Sequence, residues 1–231
     1  EKMDLDIEVS RLKLLKANYL SQKYALEDKI HKTFPQQIKA YEDRIADYKK
    51  DIAHLSVHTK PNDKSFSPMV IKGVTYTEKT DAGKAILEAC KAMRNPDTVP
   101  IGEYRGFSMS LSFDTFSKEY QLTLRNALCH TVSLGTDIHG NITRIDNVLE
   151  SFESKLKSCE EMLESIKIQF ENAKIEVQKP FAYEVELQQK SSRLDELNIM
   201  LNMDEKEKKL LGDNENEGNT GELKKVSEHD R

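Results

Sequence analysis

The densest run of residue types able to do chemistry is Gly135–Ser151, GTDIHGNITRIDNVLES, which gathers Asp137, His139, Asn141, Arg144 and Asp146. Read as a site, Asp137 and His139 are metal ligands or an acid/base pair, with Asp146 approaching from a first helical turn. Read as architecture, the same residues lead the chain out of a strand and into a helix. Asp137 and Gly140–Asn141 supply turn chemistry, Asn141 or Thr143 caps the helix, and Asp146, three residues after Thr143, is the acidic partner of a capping box. The architectural reading is the more economical, and we expect a joint here.

The remaining candidates are weaker in pattern. His31, His54, His58, His130, His139 and His229 are scattered and H-E-x-x-H is absent. His54 and His58 lie four apart, as helical ligands would, but without a third ligand beside them they read as a solvated helix end. His130 falls on the apolar side of an alternating segment, where a hydrogen-bonded core or edge histidine is expected. No glycine-rich phosphate cradle is present, since TDAGKAI has one glycine where such a loop needs several. Cys90, Cys129 and Cys159 are odd in number and far apart, which suggests neither a zinc knuckle nor a disulfide framework, and a reduced cytoplasmic setting is the simplest expectation. The expectation is therefore no catalytic residues, no metal and no cofactor. Phosphate contact needs only a few cations on one face, and Lys72, Lys79, Lys84, Arg105, Arg125 and Arg144 are the candidates, although Glu78, Asp81, Glu103 and Asp114 are interleaved with them.

The elements that must position these groups follow from composition and period. With 37% hydrophobic and 32% charged residues, no Trp and 9 Gly in 231 residues, the balance favours long exposed helices over a compact enzyme. The net charge of −5 is concentrated beyond residue 143, and no segment is a strongly basic block. No apolar run approaches the length of a membrane span, and a chain opening on Glu1 without an initiator Met reads as part of something longer.

Along the chain, Leu5, Leu12, Tyr19 and Leu26 repeat every seven residues, and Ile38, Tyr41, Ile45, Tyr48, Ile52 and Leu55 step by three and four. Between them KTFPQQ predicts a kink or fresh start, with Thr33 as N-cap and Pro35 in a first turn. VHTKPNDKSFSP is a loop by composition. MVIKGVTYT reads as a hairpin turning at Lys72–Gly73, and TDAGKAILEACKAMR as a helix capped by Thr80 that NPDTVPIG breaks. FSMSLSF, EYQLTL and LCHTVSL alternate apolar and polar residues and predict a three-stranded antiparallel meander. From Ile145 through Leu149, Phe152, Leu156, Cys159, Leu163, Ile166, Phe170, Ala173 and Val177 a seam runs uninterrupted, and Pro180 breaks it before a last helical piece ending near Asn202. The fold expectation is α+β: an antiparallel coiled-coil arm, residues 1–59 and 142–203, carrying a small head over 60–141, with an acidic disordered tail over 204–231.

The phrases TDAGKAILEACKAM, IGEYRGFSMSLSFDTF, SLGTDIHGNITRIDNVLES and FENAKIEVQKPFAYEVELQQKSSRLDELNIMLNMDE, in this order within a similarity that covers most of residues 35–205, resemble the C-terminal region of very large helicase-like proteins of bacterial mobile and conjugative elements, which join a Swi/Snf-type helicase and, often, segments similar to DNA methyltransferases. The resemblance implies a bacterial cytoplasm, DNA as the business of the parent chain, and an accessory role for this piece. The helicase and methyltransferase motifs belong to other segments of such proteins, so no catalytic residue carries over. The expected partners are DNA, other domains of a parent protein, or a second copy through the arm, and no membrane.

Overall fold

The structure is a computed structural model that describes residues 1–58 and 66–213, with side chains described as far as residue 207. It is an α+β protein in which long helices accompany one antiparallel sheet. The chain divides into two compact units: Glu1–Glu27 together with the segment that begins at Ile175, and Asp28–Lys174. This division cuts across the expected arm, because the helical partners of the sheet fall in the same unit as the sheet.

In the larger unit, α2 (Phe34–Val57) presents Ile45 and Tyr48 as buried seam positions, with Ile38, Tyr41, Ile52 and Leu55 half-buried beside them. Its partner α5 (Phe152–Val177) buries Phe152, Ile166 and Ala173. Contacts of Phe34 with Phe170, Glu42 with Lys167, Lys49 with Glu160 and Tyr48 with Phe152 run in opposite chain directions, so the two helices pair antiparallel, as the seams imply.

Pro35 does not break the chain. A π-helical turn, Lys29–Thr33, links α1 (Lys2–Asp28) to α2, and the Phe34 N–H reaches back to the Lys29 carbonyl. Widening the turn lets the helix absorb a proline ring that would otherwise press on the carbonyl of the preceding turn. Thr33 stays in helical geometry with no side-chain cap, which corrects the expected fresh start.

The expected hairpin and three-stranded meander are joined, through one further strand, into a single sheet of six strands. β1 (Met69–Ile71), β2 (Val74–Tyr76), β3 (Val99–Tyr104), β4 (Phe107–Asp114), β5 (Glu119–Arg125) and β6 (Cys129–Leu134) lie in the order β2-β1-β3-β4-β5-β6, all antiparallel. The expected hairpin turns where predicted, with Lys72 and Gly73 both at positive φ. β3 occupies VPIGEY, which reads as a helix breaker because of its proline and glycine. A register shift between Pro100 and Gly102 accommodates both, and Gly102 sits where any Cβ would overlap the Val70 carbonyl.

One face of the sheet is buried through Met69, Ile71, Tyr104, Phe107, Met109, Leu111, Leu122, Leu124, Val132 and Leu134. Against it, in one continuous core, pack Tyr48, Phe152, Ile86 of α3 (Lys79–Ala92), and Ile142, Ile145 and Leu149 of α4 (Ile138–Glu150). The opposite face is a polar grid. Ser108 lies across from Arg125 and Cys129 in turn, Ser110 across from Thr123 and Thr131, and Ser112 across from Gln121 and Ser133. Strict alternation of this kind marks an antiparallel sheet with one covered face.

Two further expectations change. α3 begins at Lys79 from Glu78 without a side-chain cap, so Thr80 lies inside the helix, and Ile86 is among the residues it buries. The seam from Ile145 to Val177 belongs to two helices, α4 and α5, separated at Ser151, whose N–H and hydroxyl bond back to α4 carbonyls.

In the smaller unit α1 pairs with α6 (Glu184–Asp213). Val9, Leu12, Leu187 and Leu194 form its buried core, with Leu5 and Phe181 packed alongside. Lys16–Glu184, Glu8–Lys190 and Glu1–Arg193 again run in opposite directions, so this pair too is antiparallel. The break at Pro180 is present between α5 and α6. α6 continues past Asn202 to Asp213, so the first part of the expected tail is helical; residues 214–231 of that tail, and 59–65 of the expected loop, lie outside the described residues.

Candidate functional site

The joint Gly135–Ser151 is architecture. Asp137 is the N-cap of α4, accepting from the His139 N–H at 3.1 Å and the Gly140 N–H at 2.9 Å. Asn141, fully buried, staples the strand exit by accepting from the Gly135 N–H at 2.7 Å and donating to the Gly135 carbonyl at 2.8 Å. Thr143 donates to the His139 carbonyl within the helix, and Asp146 accepts from the Tyr104 hydroxyl at 2.8 Å. Neither Asn141 nor Thr143 caps the helix and Asp146 is no capping-box partner; the helix begins earlier than its apolar period shows. Burial and the neighbouring Asp146 carboxylate push the Tyr104 phenol well above its ordinary range, so it stays a neutral donor.

The strongest polar constellation was not legible beforehand. Asp51 of α2, fully buried, accepts from the Asn126 side chain at 3.0 Å, the Ala127 N–H at 2.9 Å, the Leu128 N–H at 3.2 Å and His130 Nε2 at 2.8 Å. Burial holds the His130 imidazole below its ordinary value, against the opposing pull of Asp51, so it donates as a neutral ring. Phe152 lies tilted against that ring at 4.2 Å between centroids, Tyr48 is tilted against it as well, and Phe107 meets it edge-on. A carboxylate so enclosed, with its lone pairs taken by two backbone and two side-chain donors, clamps the β5–β6 turn to α2. Of the two expected settings for a hydrogen-bonded His130, core or edge, the structure has the buried one. The one sequence hint of its partner was an acid on the shoulder of an apolar seam, between Tyr48 and Ile52.

Of the expected solvated helix end, His58 at the C-cap of α2 is exposed, whereas His54 is half-buried. His54 Nε2 donates to the Gly106 carbonyl at 2.9 Å and its ring meets Phe107 edge-on, while His58 Nδ1 donates to the His54 carbonyl at 3.0 Å. Gly106, at positive φ in the β3–β4 turn, lies so close that a Cβ there would overlap both imidazoles. Arg105 in the same turn donates from Nε to the His58 carbonyl at 3.3 Å.

The six candidate phosphate contacts do not share a face. Lys79 donates to Thr143 at 3.0 Å, which brings it beside Arg144 where α3 meets α4. Lys84 pairs with Asp81 on its own helix. Arg125 stands on the open face of the sheet beside Cys129, whereas Lys72 and Arg105 occupy turns at opposite ends of the sheet. Among the described residues no cluster of three His, Cys, Asp or Glu side chains gathers closely enough to hold a metal ion, and no helix is long and apolar enough to cross a membrane. Burial pushes the Cys90 thiol up to about 11, which keeps it an inert core residue.

No protein-family model, no curated protein and no solved structure matches this chain.

Proposed function

We propose that this chain is a non-catalytic accessory module of a larger helicase-like protein of a mobile genetic element, and that it assists DNA engagement or holds other domains of that protein in position. The observation that carries the non-catalytic part is how the reactive side chains are used. Asp51 with His130, Asn141 with Gly135, and His54 with Gly106 are hydrogen-bonded between elements, and Asp137 caps its own helix. The DNA part rests on the resemblance of the four sequence phrases and on the cations of the larger unit.

The test is anisotropy of labelled duplex and single-stranded DNA titrated with the whole chain over a range of salt. Affinity is expected to fall steeply as salt rises. Because the cations lie on different sides, Lys79→Gln with Arg144→Gln, set against Arg125→Gln, shows whether the helical side or the open sheet face is used. Absence of binding at low salt removes the DNA reading.

A second reading, a dimerisation or protein-interaction module without DNA contact, draws on α1. Met3, Ile7, Leu14 and Tyr24 are 75%, 63%, 63% and 63% exposed and fall on one heptad stripe, away from the buried Val9 and Leu12. Sedimentation over a wide concentration range, repeated on Ile7→Asp with Leu14→Asp, separates the readings. A dimer that the double variant abolishes supports this one, and a monomer at every concentration rejects pairing between copies.

A further inference from the structure

The two edges of the sheet differ in what protects them. β2 is three residues long, a poor template for another strand. β6 runs for six residues and pairs with β5 along its whole length without a bulge. Among the described residues no strand lies beyond it, so every second N–H and C=O of β6 points away from the sheet. Edges of this length are ordinarily blunted by a lysine, a proline or a bulge, and CHTVSL has none of them. The edge is also open. A groove of about 540 Å³ follows Thr131–Gly135 and is lined as well by Arg144, Asn147 and Val148 of α4 and by Glu119 of β5.

The edge selects the strand that fits it. Its six residues carry no Lys, Arg, Asp or Glu, and Glu119 and Arg144 set an acid and a base along the same groove, so neither an acidic nor a basic peptide is favoured. Residues 214–231 of the same chain are dense in Glu, Asp, Lys and Arg and match it poorly. A second β6 matches it. Side chains opposed across a ladder must share a face, so two antiparallel β6 strands centre on Thr131 or on Val132, and either residue opposite itself is a favourable pair. The flanks agree. Arg125 donates to Cys129 at one end of the edge, and Glu119 lies at the other, next to the Tyr120–Leu134 pair. A two-fold axis brings the Arg125 end of each copy to the Glu119 end of the other, whereas parallel pairing sets like charge against like.

We propose that β6 is a self-association edge, at which two copies of this chain pair antiparallel about a two-fold axis and join their sheets into one. The α1 stripe belongs to the smaller unit and is a separate surface, so the proposal rests on neither functional reading above.

The test is sedimentation over a wide concentration range on wild type, Thr131→Lys, and Ile7→Asp with Leu14→Asp as the α1 control. Hydrogen exchange in β6 of wild type is read at high and low concentration alongside it. Thr131→Lys sets two ammonium groups opposite or diagonal to each other in either register, and should weaken the dimer about tenfold or more. Thr131 is exposed, and thermal melting of the dilute variant checks that it folds. The expected result is a dimer that Thr131→Lys weakens and the control retains, with β6 exchange slowing as wild type is concentrated. A dimer that the control abolishes and Thr131→Lys retains, with β6 exchange equal at every concentration, overturns the edge and leaves the α1 reading standing. Wild type that is monomeric throughout overturns it too. If Thr131→Lys melts early, exchange in wild type decides: protection of β6 that grows with concentration supports the pairing, and protection that does not grow overturns it.

Discussion

Leu12 and Ile86 are both buried aliphatic residues on helices, yet the cores around them differ in kind. Ile86 belongs to a continuous core built from α2, α3, α4, the start of α5 and one whole face of a six-stranded sheet, in which aromatic, aliphatic and sulfur side chains interlock. Leu12 belongs to a seam between two helices, where Val9, Leu187 and Leu194 are its buried companions. A two-helix seam removes little apolar surface per residue ordered, whereas a sheet covered by helices buries side chains from several directions at once. The larger unit therefore carries its own stability, and the helix pair is the softer part of the chain.

The largest effect should come from the clamp that only the larger unit has. Asp51→Ala strands the Asn126 amide, the Ala127 and Leu128 N–H groups and His130 Nε2 in a dry core, and we expect a loss of about 3–5 kcal/mol in chemical denaturation. A loss under about 1 kcal/mol would mean that water reaches those donors. Next, Ile86→Ala should cost about 2–5 kcal/mol, while Leu12→Ala should sit at or below the low end of that range because a helix pair closes more readily around a void. Hydrogen exchange read segment by segment checks the localisation: Leu12→Ala should speed exchange in α1 and α6 and leave β4 and β5 unchanged. Equal slowing or speeding in all four elements would show one cooperative block.

What sequence reasoning could see depended on whether the information was periodic. The seams of α2 and α5, the alternation of β4, β5 and β6 and the turn at Lys72–Gly73 are repeating or local signals, and they stand in the structure. β3 was missed because Pro100 and Gly102 hide a strand that survives through a bulge and a close backbone approach, a pairing partner the local sequence does not name. Thr33, Thr80 and Thr143 were misplaced as caps because a helix boundary depends on where the preceding backbone bonds go, and a threonine fits inside a helix as well as at its end. The Asp51–His130 clamp joins residues far apart in the chain through hydrogen bonds that have no spacing rule.

A smaller effect is expected from pH, because it alters the charge of one clamp member without deleting an acceptor. The His130 imidazole is held below its ordinary value of 6.5 in the folded chain, so the unfolded chain binds the extra proton first. Stability should therefore fall as pH drops below about 6.5 and go on falling until the folded-state value is passed. His130→Gln keeps a donor towards Asp51 and removes the titration. Denaturation midpoints between pH 7.5 and 5.5 should slope in wild type and flatten in the variant; parallel slopes would assign the pH response to another group.

The smallest effect should come from the charges that decorate the helix pair. Lys190 bridges Glu186 at 2.6 Å and Glu8 at 2.7 Å, and its ammonium is favoured first by Glu186 and then by Glu8. With Lys16–Glu184 and Arg193–Glu1 it forms a ladder that matches opposite charges only in the antiparallel register. These groups stand in water, so their attraction is screened and the ordering of long side chains offsets much of it. Lys190→Met should then change exchange in α1 and α6 far less than Leu12→Ala does, and the remaining difference from wild type should vanish in about 1 M salt, where the screening length is near 3 Å. If Lys190→Met instead loosened both helices as much as Leu12→Ala, and salt did the same to wild type, the pair would be held by charge and the contrast between the two cores would lose its physical basis.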